Sequence, residues 1–422
     1  MSPIIRPLLP NREKVLIFIM ILNSDPLNEP NKGHLMNIVY LSPHFPPQYY
    51  QFCQRLKLAG ANVLGIGDAP YHELMPEARE ALTEYYRVND MHDYDALLRA
   101  CGYFTHAYGR IARLDSLNEY WLEVEARLRD DFNIFGVRGR DIDAIRRKSC
   151  MKERFRAAGV PVAPGRVVHS LADARELVDE IGYPVVVKPD AGVGALGTYR
   201  LDDDQALERF FQNKPPTDYI MEAFVKGPIY SFDGLADARG ELVFYTAHTY
   251  SQGIMETVNE GRHVSYHSLR QVPPALETLG RACVRSFAVQ ERFFHIEFFK
   301  TAADRYVGLE VNMRPPGGYT TDMFNYACDI DIYAAWAGLL TTGASTLDYA
   351  RKYHCCYASR KNNQTYLHSH DAIMTRYGDF IVKVASVPGV FSSALGDVGY
   401  IFRAPHLEDI QAVAAFIQTV KD

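Results

Sequence analysis

The feature that most constrains the fold is a pair of apolar runs between residues 293 and 318, FFHIEFFKTAADRYVGLEVNMRPPGG. Two such runs around a short polar connection predict a β-hairpin, with strands near Phe293–Lys300 and Tyr306–Met313. Because side chains alternate along a strand, one face of the second strand is expected to be polar and the other to suit a core. The polar set is Gly308, Glu310, Asn312 and Arg314, and the apolar set is Val307, Leu309, Val311 and Met313.

The polar face of this hairpin predicts a metal site. A turn centred on Ala303–Asp304 places Glu297 directly across from Glu310, where two carboxylates repel each other unless a cation lies between them. Two carboxylates and the amide oxygen of Asn312 are hard oxygen ligands, as Mg²⁺ prefers. Arg314 adds a planar fork for a carboxylate or phosphate. A hairpin with a solvated acidic face is the alternative.

Composition bounds the class of protein. The length of 422 residues predicts two or three domains. The formal net charge of −6 gives no reason to expect nucleic acid or a membrane as a partner. Its seven cysteines are scattered and form no CxxC pair. A disulfide framework or zinc site is therefore not expected, and a reducing cytoplasm is the predicted location.

The first part of the chain divides at Met36. Residues 1–35 contain an apolar run, Val15 to Leu22, that is too short to span a bilayer. They are interpreted as an extension without function. Residues 36–140 alternate strands and helices, which predicts a small α/β domain of βαβ type. Here GYFTHAYG, residues 102–109, is interpreted as a strand, and His44 and His106 are placed at its ligand-binding edge.

A buried lysine and a glycine-rich stretch predict phosphate binding. Three valines precede Lys188 in YPVVVKP, and a lysine in such a strand needs a counter-charge. The next stretch matches GxGxxG through Gly192, Gly194 and Gly197, yet a returning strand follows where a dinucleotide fingerprint requires a helix. A β-loop-β flap whose backbone N–H groups approach phosphate oxygens is the better interpretation.

Weaker signals lie on both sides of this flap. Lys148 begins a basic helix that ends near Gly159, and taken alone this pattern favours a solvated basic face. Glu222 interrupts an apolar strand whose edge could pair with adenine. Residues 253–267 are predicted to be a polar functional loop, with Arg262 and His263 as candidates for substrate choice. The paired histidines His368 and His370 lack a third ligand at a familiar spacing.

The order of these signals resembles the ATP-grasp superfamily of carboxylate–amine and carboxylate–thiol ligases over roughly residues 36–340. The matching segments are RRKSCMKERFRAAGVPVAPG, YPVVVKP, GVGALG, MEAFVKG and HIEFF…LEVNMRPPGG. Within the superfamily the chain looks most like L-amino acid ligases and biotin-carboxylase-like proteins. The implied fold is mixed α/β and α+β. Its expected parts are an N-terminal precursor domain at 36–140, an ATP-grasp domain at 141–340 (lid with flap 141–225, metal-site part 226–340), and a C-terminal α+β, β-rich segment at 341–422.

The resemblance also implies roles for single residues. Lys148 and Lys188 would hold ATP phosphates beside the flap glycines, while Glu222 and the backbone at Ala223 and Val225 would hold adenine. Mg²⁺, or Mn²⁺ in its place, would be bound by Glu297, Glu310 and Asn312. Arg314 and Lys188 would act on the acyl phosphate. The family usually has an acid for the ribose shortly after the adenine hinge MEAFVKG, where this chain has Ile229. Either Asp233 would substitute for it, or the contact with the ribose would be weaker.

The implied activity is ATP-dependent ligation. ATP converts a small carboxylate to an acyl phosphate with release of ADP, and an amine, such as an amino acid, then forms the amide. A homodimer is a possible assembly. The alternatives are a biotin-carboxylase-like enzyme that uses bicarbonate and a regulatory ATP-binding protein without catalysis.

Overall fold

The computed structural model describes residues 4–5, 35–192, 197–251, 262–345 and 347–421. The strands are β1 Ile4–Ile5, β2 Asn37–Leu41, β3 Asn62–Gly67, β4 Glu84–Arg87, β5 Ile111–Asp115, β6 Gly165–Val168, β7 Val185–Pro189, β8 Tyr199–Leu201, β9 Tyr219–Ala223, β10 Ile229–Ala236, β11 Leu242–Tyr250, β12 Ser265–Ser268, β13 Arg292–Lys300, β14 Tyr306–Asn312, β15 His354–Arg360, β16 Ile381–Ser386 and β17 Val398–Ala404.

The α-helices are α1 Tyr50–Leu58, α2 Pro76–Ala81, α3 Tyr94–Tyr108, α4 Leu122–Asp131, α5 Ile142–Arg146, α6 Lys148–Ala157, α7 Leu171–Ile181, α8 Asp204–Asn213, α9 Pro274–Ser286, α10 Thr320–Cys328, α11 Ile332–Thr342, α12 His370–Tyr377, α13 Gly389–Leu395 and α14 Leu407–Gln418. Short 3₁₀ turns lie at Pro47–Tyr49, Tyr71–Glu73, Glu119–Trp121 and Gly139–Asp141. Among the described residues, no helix combines the length and hydropathy needed to cross a membrane.

The chain divides into two compact units. The first consists of Met1–Ser116, Trp121–Gly139 and Trp336–Gly343. Its sheet has the order β1-β4-β3-β2-β5, with β2 through β5 parallel to their neighbours and β1 antiparallel on the edge. The parallel sheet confirms the predicted α/β class, since parallel strands need helical crossovers that bury both faces.

One predicted strand in this unit is wrong. Residues 102–108 belong to α3 and Gly109 ends it, while the Asp93 carboxylate caps the first turn by accepting from the Ala96 N–H. The aromatic residues of this stretch follow helical spacing, and the rings of Phe104 and Tyr108 are 6.3 Å apart. His106 is therefore an exposed helical residue, while β4 and β5 supply the strands that the sequence pattern did not reveal.

The second unit, Leu117–Tyr120, Arg140–Ala335 and Ala344–Asp422, contains two sheets. A four-stranded sheet has the order β6-β9-β7-β8, and an eight-stranded sheet has the order β14-β13-β10-β11-β12-β15-β17-β16. All pairs in both sheets are antiparallel. β7 and β8 pair directly, which confirms the predicted β-loop-β arrangement around the flap.

The hairpin of β13 and β14 confirms the predicted pairing of Glu297 with Glu310. A bulge after this pair shifts the register, so Phe298 pairs with Gly308. The predicted core position of Leu309 is therefore wrong, because this half-buried side chain lines a cavity instead. The loop predicted at 253–267 also ends earlier, since Ser265–Ser268 form β12, and residues 252–261 lie outside the described part of the chain.

Candidate active site

The acidic pair on the hairpin occupies one wall of a cavity of about 1000 Å³ in the second unit. Glu297 and Glu310 are cross-strand partners, and Asn312 lies one alternation farther along the same face of β14. All three line the cavity. In the described residues no group of three or more His, Cys, Asp or Glu side chains is placed to hold a metal. The set here has two carboxylates and an amide, so a cation would need further oxygens from a bound ligand.

Three buried lysines face this acidic wall. Lys148, Lys152 and Lys188 are each less than 7% exposed, and all line the cavity. Lys148 begins α6 and places its Nζ 3.4 Å from Glu310 Oε1. Lys188 is on β7, where the buried valines position it. Together they form a cationic lining suited to the negative charge of a polyphosphate.

Glu222 on β9 supplies the counter-charge that the buried lysine predicts. Its two carboxylate oxygens lie 2.6 Å from Lys152 Nζ and 2.7 Å from Lys188 Nζ. Burial raises the pKa of Glu222, but the two ammonium groups outweigh burial and lower it to about 2. Burial likewise lowers the pKa of Lys152 to about 8 against the attraction of Glu222. The Glu222 side chain thus fixes the positions of both lysines.

Asp190 anchors the base of the flap. Its carboxylate accepts from the Ser149 N–H at 2.8 Å and the Ser149 hydroxyl at 3.0 Å, while its carbonyl accepts from the Lys148 N–H at 2.7 Å. These bonds satisfy donors at the start of α6 that lack intrahelical partners. Asp190 therefore fixes the start of α6, with Lys148, next to Ala191 at the start of the glycine-rich stretch.

Arg314 follows the metal segment and is positioned by buried acceptors. Its Nε lies 3.1 Å from Glu119 Oε2, one Nη donates to the Pro315 carbonyl at 2.9 Å, and the other lies 3.3 Å from Asn312 Oδ1. Burial raises the pKa of Glu119 despite the adjacent guanidinium. This arrangement orients the Arg314 fork beside the acidic wall.

The structure brings together most of the predicted site residues. Lys148, Lys188, Glu222, Ala223, Val225, Glu297, Glu310, Asn312 and Arg314 line the one cavity. Gly192 and Gly197 lie on either side of residues 193–196, which are outside the described residues, and neither lines the cavity. The Gly192 carbonyl is 3.4 Å from Lys148 Nζ. Gly194 lies outside the described residues.

The ribose role predicted for Asp233 does not fit. This carboxylate is completely buried and accepts from Ser231 at 2.6 Å, His248 at 2.7 Å and His295 at 2.5 Å. No face of it is left for a ribose hydroxyl. Burial lowers the pKa of His295, but Asp233 and Glu297 raise it to about 10. The ring lies between the two carboxylates, with Nδ1 against Asp233 and Nε2 3.3 Å from Glu297 Oε1. Asp233 supports the acidic wall from behind.

Other predicted candidates lie apart from the cavity. The His368 ring stacks on Phe416 with centroids 3.5 Å apart, and His370 Nδ1 lies 3.1 Å from the Tyr400 hydroxyl. His263 Nδ1 is 3.1 Å from Gln364 Oε1. Neither Arg262 nor His263 lines the cavity, and His44 pairs with Asp68 at 3.4 Å.

Sequence reasoning missed three contributors to this site. Lys152 is one helical turn after Lys148 on α6, a spacing that places both on one face and could have identified it. Glu119 and His295 gave no comparable signal, because their roles depend on partners 195 and 62 residues away.

Comparison with known proteins gives the same fold. Residues 181–322 match the model of an ATP-grasp domain. The carbamoyl phosphate synthase large chain of Beutenbergia cavernae is 28% identical over 55% of this chain and 22% of its own length. The chain spans less than half the length of the curated relatives it matches.

Two of the similar solved structures that cover 92% of this chain are a ligase and a carboxylase domain. An L-amino acid ligase from Bacillus licheniformis matches over 99% of its length with a TM-score of 0.71 and 16% identity. The biotin carboxylase domain of a 2-oxoglutarate carboxylase from Hydrogenobacter thermophilus, solved with MgADP and bicarbonate, matches over 91% with a TM-score of 0.64 and 16% identity. Residues 181–322 therefore match an ATP-grasp domain, and the chain shares its fold with these solved structures.

Proposed function

We propose that this protein is an ATP-dependent ligase that activates a small carboxylate as an acyl phosphate and joins it to an amine. The observation that carries the proposal is the composition of a single cavity. Three buried lysines, two paired carboxylates with an amide, and a guanidinium fork all line it. Phosphoryl transfer depends mainly on positioning and charge neutralisation, which these groups supply without a nucleophilic side chain.

The donor set fits a magnesium nucleotide. Glu297, Glu310 and Asn312 would hold Mg²⁺, which supplies charge neutralisation at the phosphates. Lys148 and Lys188 would bind phosphate oxygens, and the backbone of Ala223 and Val225 would bind adenine. Ile229 lines the cavity at the position where the family has an acid, so ribose binding would rely on other groups.

The proposed reaction has two steps. A carboxylate oxygen attacks the γ-phosphorus of ATP, and the bond to the β,γ-bridging oxygen breaks to release ADP. The amine nitrogen then attacks the acyl carbon, the carbon–oxygen bond to phosphate breaks, and the nitrogen loses a proton. Arg314 would bind the acyl phosphate oxygens, and water must be kept from this labile intermediate until the amine attacks.

Hydroxylamine tests the proposal, because it traps acyl phosphates as hydroxamates. With ATP, Mg²⁺ and a panel of amino acids and simple carboxylates, we expect equal amounts of ADP and hydroxamate from at least one acid. The ligase would be rejected if none of the acids gave a hydroxamate, whether or not ADP was released.

A carboxylase is the second candidate, favoured by the likeness to a biotin carboxylase domain solved with bicarbonate. In that case bicarbonate would be the activated carboxylate. ADP release that depends on bicarbonate, and that no other acid supports, would identify this activity.

Removal of one metal ligand should change the magnesium requirement. Glu310→Gln removes one of the two paired carboxylates while keeping the side-chain shape. We expect the Mg²⁺ concentration for half-maximal ADP formation to rise at least 10-fold, because a hard cation loses one charged ligand. Glu153→Gln, on the exposed side of α6, is the control. An unchanged Mg²⁺ requirement in Glu310→Gln would remove Glu310 from the metal site.

A further inference from the structure

One part of the cavity lining carries no charged side chain among the described residues. It consists of uncharged side chains from β11, β12 and α13 and from the residue before β12: Tyr250, Val264, Tyr266, Phe391, Ala394 and Leu395. We call this set the neutral wall. The lysines and carboxylates described above are absent from it, so it is unsuited to phosphates or metal.

Strand register connects the neutral wall to the acidic pair. Glu297 pairs with Ser231, and Ser231 pairs with His248, so all three share one face of the eight-stranded sheet. Tyr250 lies two residues after His248 and therefore on that face, and it pairs with Tyr266. Neighbouring strands are about 4.8 Å apart, which puts Tyr250 two strands, or roughly 10 Å, from the column of Glu297.

The segment after Arg314 joins the two regions. Gly318 has φ +64°, and a Cβ there would lie 3.1 Å from Leu395 Cδ1 and 3.4 Å from the Tyr266 hydroxyl. The Tyr266 hydroxyl also lies 3.0 Å from Thr320 Oγ1. The backbone that carries Arg314 thus runs directly onto the neutral wall.

The neutral wall is held in place before any ligand binds. The Tyr266 ring stacks between Tyr250 and Tyr357, each with centroids 5.3 Å away. The Tyr357 hydroxyl donates to the Leu395 carbonyl at 2.8 Å and so fixes the end of α13. Preorganised apolar surfaces select a ligand by shape and by the absence of charge.

We propose that the neutral wall binds the side chain of the carboxylate substrate, and that this acid carries an uncharged, mainly apolar group. This inference rests on the proposed ligase function. A charged side chain would lose its hydration against the neutral wall, whose described residues offer no counter-charge. An apolar group would displace water from the tyrosine and leucine side chains instead.

Matched acids test this specificity in the hydroxamate assay. L-Leucine is compared with L-aspartate, L-methionine with L-glutamate, and 4-methylpentanoate with glutarate. We expect kcat/KM for the apolar member to exceed that of the charged member by about 100-fold in at least one pair. Equal or greater use of the charged member in every pair would overturn the inference while leaving the ligase intact. Absence of hydroxamate from every acid would instead reject the proposed function, and this inference with it.

Two substitutions on one helix localise the effect. Ala394→Phe fills the neutral wall and should raise the KM for the preferred acid at least 10-fold, with the KM for ATP unchanged. Val390→Phe is the matched control, because Val390 is 69% exposed on the same helix and does not line the cavity. Leu395→Ala is the second variant and should lower kcat/KM for the same acid by 10-fold or more. Unchanged kinetics in both Ala394→Phe and Leu395→Ala would overturn the assignment.

Discussion

Replacing Arg314 by glutamine should lower kcat by about 1000-fold while leaving the KM for ATP nearly unchanged. Contacts with Glu119, Asn312 and the Pro315 carbonyl hold the guanidinium next to the acidic pair. A preorganised donor acts on charge that develops during phosphoryl transfer, and removal of such a group costs about 10²–10³ in rate, or more for an arginine. ADP formation under saturating ATP measures the effect.

Two further variants separate chemistry from folding. Arg314→Lys keeps a positive charge beside buried Glu119 but loses the planar fork, so we expect it to recover only part of the rate. Arg305→Gln alters an exposed arginine on the turn of the same hairpin and should leave kcat unchanged. If Arg314→Gln retained more than a tenth of wild-type kcat, Arg314 would have no direct role in the reaction.

Replacing Glu222 by glutamine should destabilise the protein by about 3–5 kcal/mol. Glu222 is 4% exposed and is the shared counter-charge of Lys152 and Lys188. A neutral amide would leave two buried ammonium groups uncompensated, and breaking a buried ion pair in this way has a cost of that size. Urea denaturation of the full chain measures the change in unfolding free energy.

The same substitution should change the dependence of stability on pH. The pKa of Glu222 is lowered to about 2 in the folded state, below that of a carboxyl in the unfolded chain. Its contribution to stability is therefore complete above about pH 4.5 and is lost as pH falls towards 2. The difference between wild type and Glu222→Gln should shrink over that range.

An exposed ion pair provides the contrast. Glu208 lies beside Arg175 with both side chains more than 40% exposed. Glu208→Gln should cost less than about 1 kcal/mol, because solvent screens such pairs. Equal losses in Glu222→Gln and Glu208→Gln would show that the buried lysines do not depend on Glu222.

Local patterns predicted the hairpin, the register of Glu297 with Glu310 and the buried strand ending at Lys188. Those features follow from alternation and from the cost of burying an unpaired charge, which act over a few residues. The strand predicted at residues 102–109 failed for a related reason. Aromatic residues suit both strands and buried helix faces, and only the capping by Asp93 and the packing of the rings favour the helix.

The amino-acid order alone is enough to reveal the resemblance to the ATP-grasp superfamily and to name most of the charged residues that line the cavity, because charged groups inside apolar strands can be recognised locally. Three other features depend on residues far apart in the chain. They are the partner of Lys188, the contact with Glu119 that orients Arg314, and the burial of Asp233 behind the acidic wall. The same holds for the neutral wall, where α13 from the C-terminal segment meets tyrosines of β11 and β12. Such contacts form only when the sheet assembles, because the residue pattern within one segment carries no information about which distant segment will pack against it.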